Sequence, residues 1–127
     1  MTSWPNSIGA ITLFTEDLAA SKAFYLKVFG LPIIFENDDS AVFKIGATMI
    51  NLLLISQANE LIEPAKLGTR DAGSRVVFSV EVDDVDAMCV KLSGLGVTLL
   101  NGPMDRPWGI RTASFCDPSG HIWEIGK

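Results

Sequence analysis

Histidine is almost missing from this chain: His121 is the only one in 127 residues, and cysteine occurs twice, as Cys89 and Cys116. A Cys/His zinc site takes three or four such ligands, so these counts leave almost no room for one. They also exclude a disulfide framework, because two thiols close one bridge at most. In a chain with no secretory features, the two thiols read as free and buried. Basic residues are outnumbered, 10 Lys and Arg against 15 Asp and Glu, for a net charge of −5. No Lys/Arg run supplies the basic face of a nucleic-acid binder, although Arg106 and Arg111 could make a local patch. Long apolar runs are lacking too. The longest, residues 49–55, is broken by Asn51 and is far too short to span a bilayer. Residues 1–7 have neither the charged nor the apolar region of a signal peptide. No Gly-rich phosphate loop, nucleophile elbow or dinucleotide fingerprint occurs. The expectation is a cytoplasmic protein that binds neither nucleic acid nor membrane.

What is present is an ordinary globular composition, 48% apolar and 20% charged, of a length suited to one domain over residues 1–127. Residues 8–14 are short and β-rich. An acidic start at Glu16 and Asp17 opens a helix with Leu18, Ser21, Tyr25, Val28 and Phe29 at helical spacing, and Gly30 and Pro32 end it. Three strand-like runs follow, at 33–36, 41–45 and 48–55, with turns at 37–40 and Gly46. Residues 57–74 change character, with Pro64, Gly68 and Gly73, and read as a structureless linker or lid. The pattern then restarts. Residues 75–82 read as a strand, and Asp83 and Asp84 open a helix with Val85, Met88, Cys89, Leu92 and Leu95 on one face. Strands follow at 97–100, 110–116 and 121–125, with a tight turn at 117–120. Glu16-Asp17-Leu18-Ala19 and Asp83-Asp84-Val85-Asp86 lie 67 residues apart, so the chain repeats strand, helix and three strands. This predicts module one over 8–56 and module two over 75–127. Neither module covers both faces of its own sheet, so the two are expected to pack together.

These repeated words carry a resemblance. Its words are residues 16–25 and Val28-Phe29-Gly30-Leu31 in the first half, and Val82-Asp83-Asp84-Val85-Asp86-Ala87 and Gly94-Leu95-Gly96-Val97 in the second. Pro107-Trp108-Gly109-Ile110-Arg111 and the ending 115–125 complete the set. From about Ile8 to its end, the chain resembles the vicinal oxygen chelate superfamily of glyoxalases, bleomycin-resistance proteins and extradiol dioxygenases. The resemblance implies an α+β fold of two paired βαβββ modules forming a curved mixed sheet around a cleft. It is specific for fold and far less so for activity.

The resemblance also implies four metal-ligand positions, normally His, Glu or Gln, which fall here on Ala10, Asn51, Val77 and Glu124. Two are aliphatic, one is a neutral amide and one is a carboxylate. A catalytic divalent ion needs about three protein ligands, so no metal and no cofactor is expected. Glu124 is the candidate for acid/base work or for holding a ligand. Arg111 could clamp an anionic ligand group or pair with an acid such as Glu124. Trp108, in a loop, could stack on a flat ligand, with Phe14 a weaker candidate. Asn51 demands polar partners in an apolar strand. By two-residue alternation Thr12 shares the face of Ala10, and Ser79 that of Val77. His121 follows a turn glycine, where a hydrogen-bonded structural role is commonest. The expected function is binding of a small organic molecule in an apolar cleft by a homodimer, as in antibiotic sequestration. The alternatives are a glyoxalase-like lyase or isomerase using Glu124, with Arg111 or Asn51 stabilising an enolate, or a metal enzyme with a partial ligand set.

Overall fold

The computed structural model describes residues 2–127. Contacts group the chain into two compact units, the first ending at Leu67 and the second spanning Gly68–Lys127. The first contains β1 (Ala10–Thr15), α1 (Leu18–Phe29), β2 (Phe35–Glu36), β3 (Ser40–Ile45), β4 (Thr48–Leu54) and a short α2 (Ala58–Ile62). The second contains β5 (Val77–Glu81), α3 (Val85–Gly94), β6 (Leu99–Asp105), β7 (Arg111–Cys116) and β8 (Ile122–Gly126). The fold class is α+β, and βαβββ occurs twice. Each unit forms an open four-stranded mixed sheet, in the orders β1-β4-β3-β2 and β5-β8-β7-β6. The β1–β4 and β5–β8 pairs are parallel, and the remaining pairs are antiparallel.

Local chemistry sets the same start for both long helices. The Asp17 carboxylate accepts from the Ala20 amide at 3.0 Å, and the Asp84 carboxylate accepts from the Ala87 amide at 3.0 Å. Each satisfies an N–H that has no partner inside its helix. These caps are equivalent positions of the repeat. Gly30 ends α1 at φ 67°, in the left-handed region that suits glycine.

One face of each sheet is buried under its helix. In the first unit α1 packs on β3 and β4. Tyr25 lies there against Phe29 and Phe43, and Ser21 shares a buried 2.7 Å hydrogen bond with Thr15. In the second unit α3 packs on β6 and β7. Val85 and Leu92 are buried, as are Ala113, Phe115, Trp123 and Ile125, with Phe78 stacked on Trp123. Alternation sends the remaining strand residues to the opposite face of each sheet, where Ala10, Thr12, Phe14, Asn51, Val77, Ser79 and Glu124 stand.

Two expectations change. Residues 57–74 are not structureless: they hold α2, anchored by the fully buried Ala58, and a 3-10 turn at Arg70–Ala72. The strand expected at 97–100 runs on to Asp105. Gly102-Pro103 signals a break, but the strand absorbs it as an irregularity in its pairing with β7 between Asn101 and Met104.

Candidate functional site

In the first unit Ala10, Thr12 and Phe14 lie on one face of β1, opposite Met49, Asn51 and Leu53 of β4. In the second, Val77 and Ser79 of β5 lie opposite Ile122 and Glu124 of β8. The parallel ladders place a hydroxyl beside a hydrogen-bonding side chain in both. The Asn51 amide nitrogen lies 3.5 Å from Thr12 Oγ1, and Ser79 Oγ donates to Glu124 Oε1 at 2.9 Å. Asn51 Oδ1 is buried without a hydrogen-bond partner among the described residues. Glu124 and Ser79 line an open pocket of about 400 Å³ with Glu81, Ile110 and Lys127. Across this pocket Lys127 Nζ pairs with Glu81 Oε1 at 3.3 Å.

The four positions implied by the resemblance do not fit a catalytic divalent ion. Ala10 and Val77 carry no donor atom, and their ladder partners Met49 and Ile122 supply neither oxygen nor nitrogen. At these four positions each unit therefore offers one oxygen-bearing side chain, the Asn51 amide or the Glu124 carboxylate. Among the described residues no three His, Cys, Asp or Glu side chains gather as a metal site.

Arg111 does not join Glu124. It begins β7 on the helix-covered face, where Nε and Nη2 donate to Asp86 of α3 at 3.0 and 2.9 Å. Its third donor, Nη1, reaches Asp105, its ladder partner, at 3.1 Å. These partners hold Asp86 below the usual carboxylate range and push the Arg111 guanidinium up. Of the two expectations for Arg111, the contacts are those of acid pairing, with Asp86 and Asp105 rather than Glu124. Trp108 is 67% exposed in the hairpin between β6 and β7. His121 Nδ1 lies 2.7 Å from Asp117 Oδ2, and Asp117 Oδ1 accepts from the Ser119 and His121 amides. His121 thus belongs to the tight turn that launches β8. Cys89 and Cys116 are unbridged and only partly buried, and desolvation pushes both thiols up.

Two polar residues of the second unit, Ser114 and Asn101, escaped the sequence reading, and Arg106 entered it only as part of a possible basic patch. Ser114 is the ladder partner of Glu124, and Asn101 is that of Ser114. Arg106 donates from Nε to Thr112 Oγ1 at 2.8 Å and from Nη2 to Asn101 Oδ1 at 3.3 Å. Alternation along 110–116 would have offered Ser114 once the β7–β8 register was known. The strand expected at 97–100 stopped one residue short of Asn101.

The family model described as Glyoxalase/Bleomycin resistance protein/Dioxygenase superfamily matches residues 7–125. The chain is 36% identical over 121 residues to the uncharacterized protein YraH of Bacillus subtilis (strain 168), covering 92% of this chain and 94% of that one. It is 26% identical over 119 residues to the metallothiol transferase FosB of Lysinibacillus sphaericus (strain C3-41), covering 94% and 80%. A solved glyoxalase/bleomycin resistance protein/dioxygenase from Nocardioides superposes with a TM-score of 0.85 at 26% identity, covering 98% and 85%. Lactoylglutathione lyase from Agrobacterium tumefaciens superposes with a TM-score of 0.75 at 26% identity, covering 96% and 93%.

Proposed function

Because the chain belongs to the glyoxalase/bleomycin resistance protein/dioxygenase superfamily, we propose that it binds a small organic molecule in the pocket beside Glu124. The binding needs no catalytic metal, and its biological form is sequestration of a compound such as an antibiotic. One observation carries this reading. The positions that would ligate a metal hold Ala10 and Val77, while the hydrogen-bonding pairs one step along the same ladders are intact. A pocket of about 400 Å³ with an apolar wall at Ile110 and a hydroxyl-held carboxylate has the makeup of a small-molecule site. Thr12, Phe14 and Asn51 offer a second polar and aromatic face in the first unit. Two unbridged cysteines suit a reducing compartment, and we place the protein in the cytoplasm. Among the described residues no helix is long and apolar enough to cross a membrane.

The test has two arms. Equilibrium dialysis against Zn²⁺ followed by elemental analysis is expected to retain far less than one ion per chain, and stoichiometric retention overturns the metal-free reading. A thermal-shift screen of planar antibiotics and thiol conjugates is expected to give a saturable rise in Tm for at least one class, since a ligand of the native state stabilises it by mass action. A screen with no saturable response overturns the binding reading.

One observation favours a second reading, a metal-free lyase or isomerase. A single neutral hydroxyl orients the Glu124 carboxylate within the pocket, as an acid/base group requires. Loss of turnover in Glu124→Gln with ligand binding retained would select it.

A further inference from the structure

The open face of the second sheet carries a positive charge, that of Arg106, with no carboxylate partner among the described residues. Thr112, Ser114 and Cys116 of β7 share the face of Glu124, since their ladder partners on β8 are Gly126, Glu124 and Ile122. Arg106 lies against this face, because its Nε donates to the hydroxyl of the fully buried Thr112 at 2.8 Å. Its Nη2 donates to Asn101 Oδ1 at 3.3 Å, and its guanidinium stands 5.8 Å from the centre of the Trp108 ring. All three contacts are with neutral groups. Among the described residues Arg106 has no carboxylate partner, in contrast to Arg111 with two. An arginine fixed on three sides by neutral groups has its charge unpaired and several N–H donors free, in a geometry suited to a planar oxyanion.

Ser114 supplies an independent observation. It is only 5% exposed, and its Oγ has no hydrogen-bond partner among the described residues. An unpaired buried hydroxyl costs roughly 1–3 kcal/mol, so its retention between Asn101 and Glu124 calls for a reason. The row Glu124–Ser114–Asn101 crosses three neighbouring strands, which sets its ends about 10 Å apart. One end carries an acceptor carboxylate and the other the Arg106 fork.

We propose that Arg106 is a specificity-determining residue that selects ligands bearing a carboxylate or phosphate group, with Ser114 and Glu124 addressing the donor groups of the same molecule. This rests on the small-molecule reading above and narrows it to organic anions, against the preference for cations that the net charge of −5 alone suggests.

The test uses NMR of the full chain, following the arginine Nε–H signals during titration with phenylacetate and with its neutral isostere phenylacetamide. The expected result is a saturable shift at Arg106 with phenylacetate, little movement at Arg111, and at least about tenfold weaker binding of phenylacetamide. Arg106→Gln is expected to bring the acid down to the level of the amide. Arg106→Lys, which keeps the charge and loses the fork, should fall between them. A Tm for each variant separates loss of binding from loss of fold, and Arg106→Lys serves if Arg106→Gln does not fold. If acid and amide bind alike and neither variant changes this, the Arg106 proposal is overturned while the small-molecule reading stands. If neither probe gives a saturable shift anywhere on the second unit, the Arg106 proposal is overturned, and the small-molecule reading falls with it only when the thermal-shift screen is also silent.

Discussion

Two arginines five residues apart serve opposite ends, and their partners decide which does what. Arg111 is consumed by Asp86 and Asp105, whereas Arg106 meets a hydroxyl, an amide and an indole. The Arg111–Asp86 pair makes a pH prediction. Arg111 holds the carboxyl of Asp86 below its ordinary value in the folded chain. A depressed folded value means that the pair's stabilisation is present above the unfolded value of about 4 and is lost as pH falls through the folded one. In urea titrations the wild type should therefore exceed Asp86→Asn in stability at pH 6, with the gap closing below about pH 4. A gap that stays constant down to pH 2 would show that the pair contributes no linked proton. Both groups are exposed, so the gap itself should be small.

Among the secondary-structure elements, β6 is the informative one. Gly102 has φ 85°, and a Cβ there would stand 2.5 Å from the Thr112 carbonyl oxygen and 2.7 Å from Ala113 Cα. Neither obstacle is a flexible side-chain end. Gly102→Ala is expected to cost about 1–3 kcal/mol or more in denaturant unfolding, because strain in the left-handed region adds to a backbone clash. The control Gly46→Ala, at φ 58° with open space around it, should cost distinctly less. Equal losses would mean that the close approach is not what requires glycine at 102. The same element marks the limit of legibility. Both helices, with their caps at Asp17 and Asp84, could be read from acidic starts and apolar spacing, because such signals are local. Most strands could be read to within two or three residues. The course of β6 past Gly102-Pro103 could not, since local turn chemistry there is overridden by ladder bonds to a strand that lies later in the chain. Asn51 and Glu124 came from the resemblance, and Thr12 and Ser79 from alternation with Ala10 and Val77, which the resemblance had placed. Arg106 came from neither, because a hairpin side chain takes its direction from its partners and not from a period.

For the molecule as a whole, the repeat predicts an assembly. β1 and β5 each stand at the end of a sheet, and Met49, Val77 and Ile110 leave large apolar side chains exposed. Exposed edges and apolar patches are commonly covered by a second chain, so a homodimer is expected. Light scattering after size exclusion should give twice the 13.7 kDa chain mass at micromolar concentration. A mass that remains at one chain across a hundredfold concentration range would sink this expectation.

Thr12 meets Asn51 and Ser79 meets Glu124 at the same step of two parallel strand pairs, yet one slot is neutral and the other ionisable. The two units thus repeat one frame with different occupants. Folding constrains the register, because a slip of one residue would turn every core side chain to the wrong face. It places no comparable demand on what occupies an open-face slot. The frame has therefore been kept twice, while the occupants were free to take on separate trades.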